Sequence, residues 1–234
     1  MGTNTWASYF NFSAVNWADF WANTWETISM TLISTIAVAI LGILLGLILF
    51  ETKQKTTGKI MIWAKVINWI VSALVNIFRS IPFIILIVLL LPFTKALVGS
   101  IIGPVAALPA LIISAAPFYA RMVELAFREI DYGVIEAAEA MGANKIQIIW
   151  KVLLRESLPA LISGVTVTGI TIIGYTAMAG TIGAGGLGNW AFIEGYGANN
   201  NTVTLVATVT IIIIVAIFQL IGDQSAKLID KRNN

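Results

Sequence analysis

The sequence predicts an all-α membrane protein with five transmembrane helices. Two observations carry this: the extreme apolar content, and the regular spacing of long uncharged stretches between charged connections. Of 234 residues, 58% are hydrophobic and only 11% are charged, whereas a typical soluble domain carries roughly 25% charged residues. A water-exposed globule of this length has too much surface to hide that apolar material. Lipid as solvent removes the conflict.

Each span follows from the length rule that a crossing helix needs about 20 apolar residues. Ile28 to Phe50 is uncharged and predicts the first. Val66 to Phe93 predicts the second; Arg79 and Pro82 interrupt it, so a long, tilted or broken helix is expected. The third lies within Ala96 to Ala120 and contains Pro104, Pro109 and Pro117. The fourth runs from Ser157 to Gly180, and the fifth centres on Val203 to Ile221.

Lys and Arg placement orients the spans, because positive residues favour the cytoplasmic side. The segment before Ile28 has none, and the first connection holds Lys53, Lys55, Lys59 and Lys65. The second connection has only Lys95, and the third holds Arg121, Arg128, Lys145, Lys151 and Arg155. The connection from Thr181 to Thr202 has none, and the tail carries Lys227, Lys231 and Arg232. The alternation predicts the N-terminus outside and the C-terminus in the cytoplasm.

The first residues lack the positive n-region of a signal peptide. Trp17, Trp21 and Trp25 recur every four residues, with Trp6, Tyr9 and Phe10 before them. Aromatic rings favour the headgroup zone, so Asn16 to Glu26 is expected to form an outer interfacial helix that anchors the chain. The organisation expected is therefore an outer Trp-rich segment over 1–27, a transmembrane domain over 28–223, and a cytoplasmic tail over 224–234.

Composition excludes several chemistries. With no Cys and no His, thiolate nucleophiles, imidazole acid–base catalysis and zinc-type ligand sets are absent. No catalytic nucleophile–base pair and no metal set can be assembled, so the chain is not read as an enzyme. A net charge of +2 signals no nucleic acid. Gly183-Ala-Gly185-Gly-Leu-Gly188 matches G-x-G-x-x-G, but a dinucleotide site needs a preceding strand and an acid about 20 residues on. Here a spanning helix precedes the run and Glu194 comes too soon. The glycines instead suit tight turns and close backbone contact. Thr57-Gly58-Lys59-Ile60 fails as a phosphate loop, because Lys53 stands where its first Gly belongs and Ile60 where Ser or Thr belongs.

The most informative segment lies between spans three and four. Asp131 is a plausible N-cap, and the residues from Glu136 on are strong helix formers. Gly142 fits the position just past a helix end, where positive φ is needed. Asn144 with Gln147 three residues on fits a capping box that opens a second helix through Ile146, Ile149 and Trp150 into span four, bending near Pro159. A short cytoplasmic helix is expected, with small Ala137, Ala138 and Ala140 allowing close approach of another surface and Glu136 and Glu139 free to pair. The plainer alternative is an ordinary solvated loop helix.

Glu136-Ala137-Ala138, three residues, then Gly142 resembles the EAA loop of ATP-binding-cassette importer permeases. The family pattern continues with Ile-x-Leu-Pro; this chain has Val152-Leu153-Leu154-Arg155, so Arg155 replaces the family proline. Asn76-Ile-Phe-Arg79-Ser80-Ile-Pro82-Phe83, Ala115-Ala-Pro-Phe-Tyr-Ala-Arg121 and Gly174-Tyr-Thr-Ala-Met-Ala-Gly180 resemble the methionine-importer group. The resemblance covers about Ile28 to Asp223; the Trp-rich start lies outside it. The glycine run over 183–188 also resembles osmoprotectant-importing relatives.

The resemblance implies a type I importer permease fold in a bacterial plasma membrane. It implies a coupling loop over about 129–156, with Glu136, Ala137, Ala138, Glu139 and Gly142 docking on a separate ATPase. It implies a homodimer with the pathway on its two-fold axis, two ATP-binding-cassette subunits holding ATP and Mg, and an extracytoplasmic substrate-binding lipoprotein. No cofactor is expected on this chain. Arg79, Tyr175 and Met178 are the pathway candidates. Two readings stand for Arg79: the cytoplasmic end of the pathway, or a side chain snorkelling to the inner surface. Two also stand for Met178: a flexible apolar seal, or ordinary helix packing. Within the class, osmoprotectant or cystine import is the alternative. From another class, an ion-coupled secondary transporter should show intramembrane acids or inverted repeats, and the clean spans show neither.

Overall fold

A computed structural model describes residues 6–53 and 60–230. Lys55 and Lys59 of the first connection, the Thr57-Gly58-Lys59 run, and Lys231 and Arg232 of the tail lie outside the described residues. Among those described, every regular element is helical. Two short 3-10 turns, Trp6–Tyr9 and Phe12–Ala14, precede α1 (Trp17–Lys53). Then come α2 (Ile60–Ser80), α3 (Phe83–Leu89), α4 (Leu91–Val98) and α5 (Pro104–Arg128). The connection to the next long helix holds α6 (Tyr132–Ala140), α7 (Lys145–Ile148), a π-helical segment (Ile149–Leu153) and α8 (Leu154–Glu156). The chain ends with α9 (Leu158–Gly180), α10 (Gly186–Trp190), a second π-helical segment (Ala191–Gly197) and α11 (Asn201–Ile229). Five helical stretches are long and apolar enough to cross a membrane: Trp17–Lys53, Ile62–Ser80, Pro104–Arg128, Leu158–Gly180 and Asn201–Ile229.

Three span boundaries differ from the sequence expectation, each for a local reason. The expected interfacial helix and first span are one helix, Trp17–Lys53. No Gly or Pro separates the aromatic start from the apolar run, so nothing ends the helix where hydropathy changes. Asn16 caps it, its side-chain oxygen accepting from the Ala18 amide at 3.1 Å. The second span stops at Ser80 instead of reaching Phe93. Pro82 disfavours helical backbone before it and sits at φ −57°, ψ 136°, so α3 begins afresh. The third span is Pro104–Arg128, several residues later than expected. Gly99 and Gly103 both have positive φ (82° and 97°), and Pro104 then takes the first helical position, which suits it. The helix runs on through Arg121 because that charge is neutralised locally, as described below. The fourth and fifth spans fall where expected, the fifth extended through Ile229 into the expected tail.

The chain divides into two units, and α1, α5, α9 and α11 each contribute one part to each. The first unit comprises Met1–Ala37, Ile81–Ala115 and Gly169–Gln219. Its core includes Val15, Phe20, Leu187, Trp190, Val203 and Ala207, with the Phe20 and Trp190 rings 5.9 Å apart. The segment ahead of α1 is tied down here: Asn200 Nδ2 donates to the Ala14 carbonyl at 3.0 Å, and Thr202 Oγ1 donates to the Ser8 carbonyl at 2.9 Å. The Trp-rich start is thus integrated into the fold, while Trp21 and Trp25 remain exposed.

The second unit comprises Val38–Ser80, Ala116–Thr168 and Leu220–Asn234. Here α1 packs on α5 through Gly42 and Gly46, a G-x-x-x-G pair whose missing side chains let backbones approach. A Cβ at Gly42 would overlap the Tyr119 ring, and one at Gly46 would stand 2.6 Å from Val123 Cβ and 2.9 Å from the Ala120 carbonyl oxygen. Tyr119 is fixed in turn, its hydroxyl donating to the Leu161 carbonyl at 3.2 Å. On α2, Trp63 and Trp69 are more than two-thirds exposed, as suits an apolar face turned to lipid or to another chain.

Candidate coupling segment and pathway residues

The loop helix is built by local signals that act as expected. The Asp131 carboxylate accepts from the Gly133 amide at 2.8 Å and opens α6. Gly142 closes it at φ 81°, a conformation that costs an L-residue roughly 1–2 kcal/mol. A Cβ there would meet nothing within 4 Å, so the glycine is required by backbone geometry and not by space. Asn144 accepts from the Gln147 amide and Gln147 accepts from the Asn144 amide, both at 2.9 Å. This reciprocal capping box starts α7.

α6 has two faces. Ile135 and Ala138 are buried. Glu136, Ala137, Glu139 and Gly142 are exposed. Ala138 therefore serves internal packing, in contrast to the expectation that its small side chain admits another surface. The exposed face carries large apolar neighbours, with Met141 82%, Ile146 69% and Trp150 67% exposed. Exposed carboxylates and uncovered large apolar side chains in one connection make a surface suited to a protein partner.

After α7 the chain passes through the π-helical turn Ile149–Leu153 to Ser157, whose amide donates to the Leu153 carbonyl at 3.1 Å. Pro159 is the second residue of α9, where its missing amide disturbs no interior helix bond. Arg155, in place of the family proline, sits exposed in α8.

The pathway candidates are placed as follows. Arg79 lies exposed in the last turn of α2, just before the break at Pro82. Tyr175, in α9, stacks flat on Phe83 with ring centroids 4.4 Å apart and planes 5° from parallel. Met178, one turn on, is 41% exposed. The structure joins Tyr175 to Phe83, a pairing that no sequence pattern signalled.

Two further constellations escaped the sequence reading. Glu124 in α5 is fully buried and takes three cations. Its Oε1 accepts from Lys53 Nζ at 2.8 Å and Arg128 Nη2 at 2.7 Å, and its Oε2 pairs with Arg121. The i, i+3 and i, i+4 spacing of Arg121, Glu124 and Arg128 is a readable helix-face signal; the tie to Lys53 is not. The second constellation holds the glycine run. There the Gly186 amide donates to Glu26 Oε2 at 2.7 Å and the Leu187 amide to Thr27 Oγ1 at 2.8 Å.

These features define a polytopic helical membrane protein with an exposed, acid-and-alanine helix in the connection before its fourth span. Residues 56–234 match the family described as binding-protein-dependent transport system inner membrane component. The chain is 59% identical over 177 residues to the methionine import system permease protein MetP of Bacillus subtilis, covering 75% of this chain and 80% of that one. It is 44% identical over 165 residues to the probable D-methionine transport system permease protein MetI of Haemophilus influenzae, covering 70% and 78%. Among solved structures, an inward-facing form of the MetNI methionine ABC transporter aligns with TM-score 0.85 and 44% identity, over 91% of this chain and 97% of that one. The chain belongs to the binding-protein-dependent transport system inner membrane component family.

Proposed function

We propose that this chain is the membrane-spanning permease of an ATP-driven importer for methionine, both enantiomers, and related amino acids. The 59% identity to a methionine import permease across three-quarters of the chain carries the reading. Two copies would line a pathway on their two-fold axis. The N-terminus would lie outside and the tail in the cytoplasm, following the Lys and Arg alternation. A substrate-binding lipoprotein would deliver solute from outside.

ATP and Mg would be held by two partner ATPase subunits, docked on the exposed face of α6. Glu136, Ala137, Glu139 and Gly142 would form the contact, with Ala138 bracing the helix from behind. Closure of the ATPase pair would draw the two α6 helices together and favour the outward-facing state. Hydrolysis would reset it. In energetic terms, the nucleotide-bound partner binds one conformation of the permease more tightly and shifts the population toward it. Arg79, Tyr175 and Met178 are assigned to the pathway, with the Tyr175–Phe83 stack supporting a fixed ring position there.

The test is to purify the complete complex and measure which solute stimulates its ATPase. Methionine should stimulate, and indifference to methionine alongside a response to an osmoprotectant or cystine would reassign the substrate. Uptake by vesicles holding this chain alone, driven by an ion gradient, would reassign the class. Gly142 offers a sharper check on coupling. Gly142→Val should lower uptake and solute-stimulated ATP hydrolysis, because the turn at φ 81° is strained for a β-branched residue. Gly142→Asn should stay near normal, since Asn tolerates that backbone. Equal activity in both variants would remove Gly142 from the coupling role.

A further inference from the structure

The first half of the glycine turn after α9 bonds back to that helix, and its second half, Gly185 to Leu187, is met by other elements. Gly183, Gly185 and Gly186 all have positive φ (92°, 79° and 77°), so these three positions supply no side chain to brace the backbone, and the turn's own bonds, such as the Ala184 amide to the Ala179 carbonyl at 3.2 Å, reach only as far as Ala184. It doubles α10 back onto α9 at backbone contact: a Cβ at Gly188 would overlap the Ala177 main chain, and one at Gly180 the amide of Asn189. The Gly103 amide, just ahead of α5, donates to the Gly183 carbonyl at 2.9 Å.

Further ties come from α1. Glu26 Oε2 accepts from the Gly186 amide at 2.7 Å, and a Cβ on Gly185 would collide with that same carboxylate. Thr27 Oγ1 accepts from the Leu187 amide at 2.8 Å while its hydroxyl donates to the Asn23 carbonyl at 3.1 Å. Thr27 and Leu187 are buried, at 2% and 0% exposure. A carboxylate bonded to a backbone amide is among the stronger hydrogen bonds, and here it spans 160 residues of sequence. Glu26 is the α1 carboxylate that accepts from the first amide of α10.

We infer that Glu26 is a positioning residue that clamps the glycine turn, and through the Gly188–Ala177 contact the neighbouring Met178 end of α9, onto α1. This rests on the reading above that the α9 end lines a transport pathway. α1 thus sets where the pathway end of α9 stands. Loss of the clamp should loosen the turn, letting ATP hydrolysis run with less solute carried per cycle.

The chain contains no native Cys, so one introduced thiol is a unique reporter. Ala184→Cys places it in the turn at a site only 6% exposed, with Leu187→Cys as a second reporter. The purified full-length chain in detergent is reacted with a maleimide. Added to the reporter, Glu26→Met keeps side-chain length but removes the acceptor and should raise the alkylation rate about tenfold, as expected for loss of a charge-assisted hydrogen bond. Glu26→Gln keeps an oxygen acceptor and should stay within about twofold of the parent. Thr27→Val should fall between them. In the reconstituted complex, Glu26→Met should cut methionine uptake more than ATP hydrolysis, and Glu26→Gln should restore the ratio. Parental alkylation rates in Glu26→Met with both reporters, or equally fast alkylation in Glu26→Gln, would overturn the clamp. Alkylation in detergent depends on neither sidedness nor transport, so a chain that fails to import methionine yet shows the labelling pattern refutes the transport reading alone.

Discussion

Gly46→Val should lower the apparent melting temperature of the detergent-solubilised protein by roughly 6–12 °C, as a loss of about 3 kcal/mol implies for a chain of this size. The magnitude follows from what the new side chain meets. Overpacking a tight interface costs about 1–3 kcal/mol when neighbours can adjust. At Gly46 one neighbour is the Ala120 carbonyl oxygen, 2.9 Å from a built Cβ, and a helix backbone does not yield as a side chain does. Val123, the other neighbour, is fully buried and has no space to turn into. Gly42→Val should behave similarly, because the Tyr119 ring it would strike is pinned by its own hydroxyl bond to Leu161 and lies within 3.1 Å of a Cβ built on Gly164. Lipid offers no hydrophobic gain for pressing two apolar helices together, so close van der Waals fit decides their association. Unchanged melting in Gly46→Val would mean that α1 does not depend on this crossing.

Glu124→Ala is expected to cost about 3 kcal/mol, the low end of the range for breaking a buried ion pair. The carboxylate is fully buried, whereas Lys53, Arg121 and Arg128 are each between 35% and 42% exposed. Removing the acid leaves three cations that repel one another, but water takes up part of their charge, which keeps the loss from the upper end. Glu124→Gln should also destabilise, because its amide nitrogen would turn a donor toward a cation that can only donate. A double-mutant cycle isolates the cross-helix part. Lys53→Met should cost measurably in the parent and little in Glu124→Ala, read from melting temperature and folded yield. Equal costs in both backgrounds would show that the Lys53–Glu124 contact at 2.8 Å contributes nothing to stability.

The features legible in the sequence share one property: their determinants lie within a few residues of each other. Asp131 capping Gly133, Gly142 at positive φ and the Asn144–Gln147 box were all readable because a cap is chemistry over two to four positions. The role of Gly42 and Gly46 came only from the packing of α1 on α5, where a Cβ would overlap Tyr119 or crowd Val123 and Ala120. Span ends were less legible, because a charge next to an apolar run does not show whether a distant partner neutralises it. Arg121 sits inside α5 because Glu124 neutralises it, and Glu26 sits inside α1 because an amide from α10 binds it. For Ala138, composition could say that the residue was small, while only the packing of α6 decided that it faces inward.

What the sequence by itself determined is the class: an apolar chain of five spans, a charge alternation that predicts their orientation, and a short capped helix ahead of the fourth span. Composition and local hydrogen bonding are sufficient for these, since hydropathy and capping are settled before the chain folds on itself. The tertiary structure alone decided which charges are buried, which glycines are contact points and what holds the glycine turn. Those outcomes depend on residues 71 positions apart at Lys53 and Glu124 and 160 apart at Glu26 and Gly186. A buried charge is tolerable only where a partner is delivered to it, and only the fold brings these partners together.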